Sequence, residues 1–374
     1  MKFSISSGLL SDRLQLIKNV VDDKNPLPIL SNFLFEITGK TLKITASNSE
    51  STLIATAALD ECEKDIRFVI NAKTIEESVK QLPEQPLDIY VNETNWETTV
   101  RYQNGQYNFM AQAADEYPEF SEDTANSVSF NIDAQKLANA VSRTTFASAD
   151  DPLRPVMNGV FFHLNQNALS FVASDGLKLA CNKVLNVGND TTGGFILPKK
   201  PCGLIKNIFS KESGNVEISF TERNATFKSE NFEFHSRLTE GRYPDYTRVI
   251  PQDNPNHATV NREALIAALR RIYIFSNVAS GLIKLEIGNS KLTMSSQDTD
   301  YSMSANESLL CDYNGTPISI GFKGPNLLDV VNNIQAEEIV LQLADASRAG
   351  IIVPVENQPD VESLMLIMPM MLAH

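Results

Sequence analysis

The chain repeats itself three times at a spacing of about 126 residues, and a sequence of that kind folds as similar modules in series. Four landmarks recur in the same order. An amphipathic stretch opens each copy, at Leu9 to Val21, Ala134 to Phe146 and Arg262 to Ile274. Two short strand-like runs follow, over Ile29 to Ala46, Val156 to Ala173 and Leu282 to Ser295. Each pair closes on a polar turn: Ser47-Asn48-Ser49, Ser174-Asp175-Gly176 and Ser296-Gln297-Asp298. An apolar run then leads to a lysine at the start of a second helix, at Lys73, Lys200 and Lys323. Copies one and two end on Tyr117-Pro118-Glu119-Phe120 and Tyr243-Pro244-Asp245-Tyr246. We set the modules at 1–126, 127–252 and 253–374, each large enough for its own core. Three alike in a row imply a geometric task.

Within a module the hydrophobic period changes from helical to alternating. In the opening stretch of the second copy, Ala134, Leu137, Ala138 and Val141 form one apolar stripe, with Lys136, Asn139 and Arg143 expected on the other side. In the second helix of the first copy, Ile75, Val79 and Leu82 form the stripe, and Lys73, Glu77 and Lys80 lie outside it. Short alternating runs broken by turn residues fill the rest, as in Phe161 to Ala173, where Asn165-Gln166-Asn167 reads as a hairpin turn. Two helices on a curved antiparallel sheet make an α+β module. Open sheet edges invite association, and serial modules that turn by a fixed angle permit a ring closed by two chains.

Asp and Glu outnumber Lys and Arg by 46 to 32, for a net charge of −14, which by itself argues against nucleic acid. The distribution argues the other way. Six helix windows, 7–21, 71–82, 133–147, 198–211, 261–276 and 323–333, hold fourteen Lys or Arg against six Asp or Glu, so the acid is concentrated elsewhere. A solvated helix face usually mixes both signs, and this separation predicts helices that share one surface facing an anion.

Other classes find little support. No apolar run is long enough to span a bilayer, and Met1-Lys2-Phe3-Ser4-Ile5-Ser6 alternates like a strand instead of opening a secretory signal. The expected location is the cytoplasm, with no membrane partner. Cys62, Cys181, Cys202 and Cys311 are scattered, with no disulfide framework and no zinc spacing, and read as free thiols. His163, His235, His257 and His374 stand in no base or metal-ligand pattern, and phosphate-loop, nucleophile-elbow and zinc-protease motifs are missing. Ser174-Asp175-Gly176 reads as a turn, not a nucleophile beside an acid, and Asp298 with Asp300 offers too few ligands for calcium. We expect no catalytic residue, metal or cofactor, and hence not an enzyme. A hydrolase would need convergent titratable groups in one module; a secreted repeat adhesin would need a targeting signal.

The tail, Leu364 to Leu372, is apolar and holds Met365, Met368, Met370 and Met371. Leu364 to Ile367 reads as a last strand, because Pro369 forbids a central strand beyond it. Met368 to Met371 reads as an adaptable peptide-binding surface, since thioether side chains are flexible and polarizable.

Several segments together carry a family resemblance. These are Ala173-Ser174-Asp175-Gly176-Leu177-Lys178-Leu179-Ala180, Glu240-Gly241-Arg242-Tyr243-Pro244-Asp245-Tyr246 and Ile367-Met368-Pro369-Met370, with Leu27-Pro28-Ile29-Leu30 and Arg154-Pro155-Val156-Met157-Asn158-Gly159. Over its whole length the chain resembles the bacterial β sliding clamps, the processivity subunits of replicative DNA polymerases. The resemblance implies a head-to-tail homodimeric ring around double-stranded DNA, held without sequence preference. Candidates for its basic inner wall are Lys18, Lys73, Lys80, Lys136, Arg143, Lys199, Lys200, Lys206, Arg262, Arg270, Arg271 and Lys323, with Lys24 and Arg154 on loops that touch DNA. It also implies a pocket that docks short motifs of the replicative polymerase, the clamp loader and repair proteins. The deep part of that pocket would be Met157, Ser174, Gly176, Leu177, Lys178, Leu179, Pro244, Val249, Leu366 and Met368. The shallow part would be Lys323, Asn326, Arg348, Met368, Pro369, Met370 and Met371. Tyr107 of one subunit would meet Ile274 and Phe275 of the other, unless these are core residues of their own modules. Leu177, Lys178 and Met371 stand where the family commonly has His, Arg and Arg, which predicts a more apolar pocket. Pro155 and Val156 replace aromatic positions, and Ala373 and His374 extend the usual end.

Overall fold

A computed structural model describes residues 1–22, 24–119, 127–187 and 192–372. Phe120 of the first closing motif, the junction at 121–126, and Ala373 and His374 lie outside the described residues. Six α-helices occur among the described residues, one in each sequence window: α1 Ser7–Ile17, α2 Ala72–Lys80, α3 Ala134–Thr145, α4 Lys199–Phe209, α5 Arg262–Tyr273 and α6 Gly324–Asn332. None is long and apolar enough to cross a membrane.

The helix starts are locally encoded. Ser6, Asn71 and Asn261 each accept a backbone N–H from three residues ahead, at 3.2, 3.0 and 2.9 Å, satisfying a donor the first turn leaves open. Each such cap stabilises a helix by about 1 kcal/mol. At α6 the N-cap residue Lys323 makes no side-chain capping bond, and Pro325 in the first turn presets the backbone instead.

The chain divides into two compact units, 1–135 with 204–238, and 136–203 with 239–374. In the first unit, α1 and α2 pack side by side, and Lys18 Nζ reaches Glu76 Oε2 across them at 2.5 Å. Its larger sheet has nine strands. At the centre, Ser51–Ala58 from the first repeat pairs antiparallel with Phe232–Arg237 from the second, with Thr52 opposite His235. Its smaller sheet has five strands and ends on Gly105–Met110. Phe3, Phe33, Phe35 and Phe68 fill the core between helices and strands, with Phe35 stacked on Phe68 at 5.3 Å.

The second unit repeats the plan. Its eight-stranded sheet joins Lys178–Leu185 of the second repeat to Val361–Ile367 of the third, with Leu179 opposite Leu366. The hairpin Gly159–Asn165 to Ala168–Ser174 turns at Gln166-Asn167, where Asn167 takes a left-handed φ of 61°. A four-stranded sheet ends on Met303–Leu310, and α5 and α6 pack together beside it. The compact units therefore follow sheet continuity, and each contains a seam between neighbouring repeats.

Candidate functional site

In the second unit the seam between Lys178–Leu185 and Val361–Ile367 carries an apolar cluster, the candidate docking hollow. Val172, Leu179, Ile196, Tyr243, Ala349 and Leu366 form its buried floor, with Val156, Phe161, Tyr246 and Ile250 packed against them. Phe161 stacks flat on Tyr243 at 4.9 Å, and His163 Nδ1 lies 2.9 Å from the Tyr246 hydroxyl. Burial holds the His163 imidazolium below its ordinary range and pushes the Tyr246 phenol up to about 12, so both stay neutral near pH 7.

The rim is fixed by a tight turn. Asp175 Oδ1 accepts the Leu177 and Lys178 amides at 2.8 and 2.9 Å, and Ser174 Oγ accepts the Gly176 amide at 3.1 Å. Gly176 sits at φ 92°, a conformation costly for any residue with a Cβ, and an added Cβ would come within 3.3 Å of the Arg154 guanidinium. The turn lifts Leu177 to 52% exposure, and Val249 stands 55% exposed. Met157 is half-buried, while Pro244 and Met368 are exposed, completing an apolar lip.

The tail forms one wall. The strand ends at Ile367, two residues before Pro369, as its position demands. Beyond it the Met368 amide donates to Leu177 O at 2.8 Å, and the Met370 amide donates to Gly321 O at 2.7 Å. Met371 is left open, and Lys323 and Arg348 are exposed nearby in the fold's third repeat, with Asn326 half-buried on α6. The residues expected in the deep and shallow parts of the pocket all belong to the second unit.

Two charged candidates are tied to neighbouring carboxylates. Lys178 is only 8% exposed and ion-paired with Asp175 at 2.9 Å and Asp329 at 3.5 Å, so its charge is neutralised inside the fold. Arg154, expected at DNA, pairs with Asp151 at 2.8 Å and lays its Nη1 3.7 Å from Met157 Sδ, against the hollow. Val156, Phe161, Tyr243, Tyr246 and Ile250 were not among the pocket candidates. The Tyr-Pro signature at 243–244 was the available signal.

The first unit holds the repeat-equivalent hollow, a cavity of about 780 Å³. There Thr52 faces His235 where the second unit has Leu179 facing Leu366. Glu36, Lys43, Glu50, Arg67 and Glu233 line it as well. Leu27, Leu30, Leu34, Ile54 and Tyr117 share that lining, so the first-unit site mixes apolar groups with charges of both signs.

Of the helix cations, Lys73, Lys80, Lys199, Lys200, Lys206, Arg270 and Arg271 are exposed, as is Lys24 on its loop, and Lys136 is half-exposed. Lys73, Lys199, Lys200 and Lys206 form no ion pair among the described residues, whereas Lys136 meets Asp360 at 3.2 Å and Arg271 meets Glu307. Arg143 departs from the expected open face of α3. It is 7% exposed and donates to the side-chain oxygens of Gln335 and Gln358, which reach over it from distant segments. Arg262 likewise turns inward, donating to Ala336 O at 3.0 Å.

Among the terminal strands of the sheets, Gly105–Met110 ends the five-stranded sheet and Met303–Leu310 ends the four-stranded one, each without a partner on its outer side among the described residues. Both carry exposed apolar groups, Met110 at 59% and Leu310 at 88%, and Ile274 is 72% exposed just after α5. Tyr107 is half-buried on the first edge against Tyr102 at 5.0 Å, and Phe275 is half-buried beside Ile274.

Three family models cover nearly the whole chain: the N-terminal, central and C-terminal domains of the DNA polymerase III beta subunit, at residues 1–121, 131–245 and 247–371. The chain belongs to the bacterial beta sliding clamp family. It is 28% identical to the beta sliding clamp of Pseudomonas aeruginosa across all of both chains, and 26% identical to that of Bacillus subtilis across 99% of each. The crystal structure of a Pseudomonas aeruginosa sliding clamp bound to griselimycin superposes with a TM-score of 0.93 at 28% identity, covering both chains completely. The beta subunit of Thermotoga maritima gives 0.89 at 26%, again over both whole chains. Three tandem α+β modules are the clamp fold.

Proposed function

We propose that two copies of this chain close head to tail into a ring around duplex DNA and tether the replicative polymerase to its template. The observation that carries this reading is the apolar exposure of two terminal strands, Gly105–Met110 on the five-stranded sheet and Met303–Leu310 on the four-stranded one. Five strands joined to a partner's four make a nine-stranded sheet, the size of the sheet already complete in the first unit. Edge strands left open with exposed Met110, Leu310 and Ile274 are an aggregation hazard that a defined partner removes. Tyr107, Ile274 and Phe275 sit at that junction.

On this reading topology keeps the ring on its track, and affinity has only to be shallow. Lys24, Lys73, Lys80, Lys136, Lys199, Lys200, Lys206, Arg270 and Arg271 attract phosphates without reading bases, and the acidic remainder repels DNA elsewhere. No bond is made or broken, so the protein acts as a scaffold, not an enzyme, in the cytoplasm. The three modules span 1–126, 127–252 and 253–374.

The apolar hollow of the second unit docks extended peptides with two or three closely spaced apolar side chains, brought by the polymerase, the clamp loader and repair proteins. Each anchor that is fully covered contributes about 1.5 to 3 kcal/mol. Sedimentation equilibrium tests the ring: the expected species has twice the mass of the 41.4 kDa chain, and a monomer at all concentrations would contradict it.

A further inference from the structure

A second cavity, of about 880 Å³, lies on the outer face of the four-stranded sheet. Its chemistry differs from that of the hollow. Ser295, Gln297, Ser304, Asn306 and Ser319 supply hydroxyl and amide groups, and Lys284 is the one charged residue in its lining. Lys284 is already paired with Glu286 at 2.8 Å.

The cavity shares Met371 with the residues expected at the shallow end of the docking site. Met371 and Leu372 line it, as does Ser347, next to Arg348. The tail runs from Leu177 O, where Met368 bonds, across Gly321 O, where Met370 bonds, and then lays Leu372 against Gly321. An added Cβ at Gly321 would meet Leu372 at 2.8 Å and Met370 O at 3.0 Å, so glycine is what lets the tail lie flat on the sheet. One path therefore leads from an apolar floor to a neutral polar carpet.

We propose that this carpet is an annex of the docking site, occupied by residues that flank a partner's apolar motif and carry neutral amide or hydroxyl side chains. The inference rests on the docking reading. An extended peptide anchored by apolar groups in the hollow continues past Met370 and Met371, where its next two or three side chains meet the exposed Gln297 and Asn306. Within the lining Lys284 is already paired, so a charged flank loses solvation there without gaining a partner from it, and the annex discriminates among partners by their flanks.

The test uses the full chain and three fluorescent peptides: Ser-Leu-Ser-Leu-Phe amide, and the same peptide extended by Ser-Gln-Asn at its N-terminus or at its C-terminus. One extension is expected to tighten binding about three- to ten-fold, the range of one or two net hydrogen bonds. That gain disappears in the Gln297→Ala/Asn306→Ala variant, while the parent peptide binds the variant unchanged, which also reports that the variant is folded. Equal affinity of all three peptides, or a gain that survives in the variant, overturns the annex and leaves the hollow standing. Failure of the parent peptide to bind overturns the docking reading and the annex with it.

Discussion

Replacing Leu177 and Val249 with serine separates docking from folding. Both side chains stand about half exposed in the free protein, at 52% and 55%, so each still has roughly half its apolar surface to bury against a ligand. Full burial of such a side chain stabilises by about 1.5 to 3 kcal/mol, and the remaining half by about 1 kcal/mol. The double variant should therefore lose about 2 kcal/mol of binding, close to a thirty-fold rise in Kd. Neither side chain holds the floor, which consists of Leu179, Leu366, Tyr243 and their neighbours, so the unfolding midpoint should stay put. Fluorescence anisotropy with the labelled pentapeptide reads the first quantity and thermal unfolding reads the second. A change in Kd of less than two-fold at an unchanged midpoint would refute the placement of the ligand over the Leu177 turn.

Changing Ile274 to Ala and Phe275 to Lys should convert the dimer to monomers in sedimentation, and an undiminished dimer would remove both from the interface. Lys73→Ala, Lys199→Ala and Lys200→Ala should each flatten the salt dependence of duplex binding, by up to about 0.9 in the log–log slope, and an unaltered slope would take that lysine off the DNA-facing wall. Arg143→Ala should leave that slope alone and instead cost about 1 to 3 kcal/mol of stability, since Gln335 and Gln358 lose a buried partner; a normal midpoint in chemical unfolding would contradict the burial argument. His163 has its folded-state pKa held below the unfolded value of about 6.5 by burial, so the unfolded chain binds the extra proton and stability falls as pH drops below that value. His163→Gln should flatten that decline, and an identical pH profile would show that His163 does not drive it.

The helices were legible in the sequence because their information is local: an apolar stripe at helical spacing, opened in three cases by a Ser or Asn cap. The last strand was legible because Pro369 bounds it. The seams were not, since pairing Ser51–Ala58 with Phe232–Arg237 joins segments far apart in the chain, and nothing in either run states its partner or register. Arg143 shows the same limit from the side of the site. Its helical position points outward, but Gln335 and Gln358 arrive from a distant part of the fold and cover it. Lys178 could have been anticipated in part, with Asp175 three residues before it, whereas Asp329 on α6 could not. The contrast between the two repeat-equivalent hollows was present at two aligned positions, Leu179 with Leu366 against Thr52 with His235. It becomes readable once the strand registers show that these residues face each other.

Retention on DNA of different topology measures encirclement most directly. After loading onto circular plasmid, the protein should stay bound through a high-salt wash and leave when a single restriction cut opens the circle, because only a free end lets a closed ring slide off. Equal loss from circular and linear DNA, or equal retention on both, would contradict a ring held by topology.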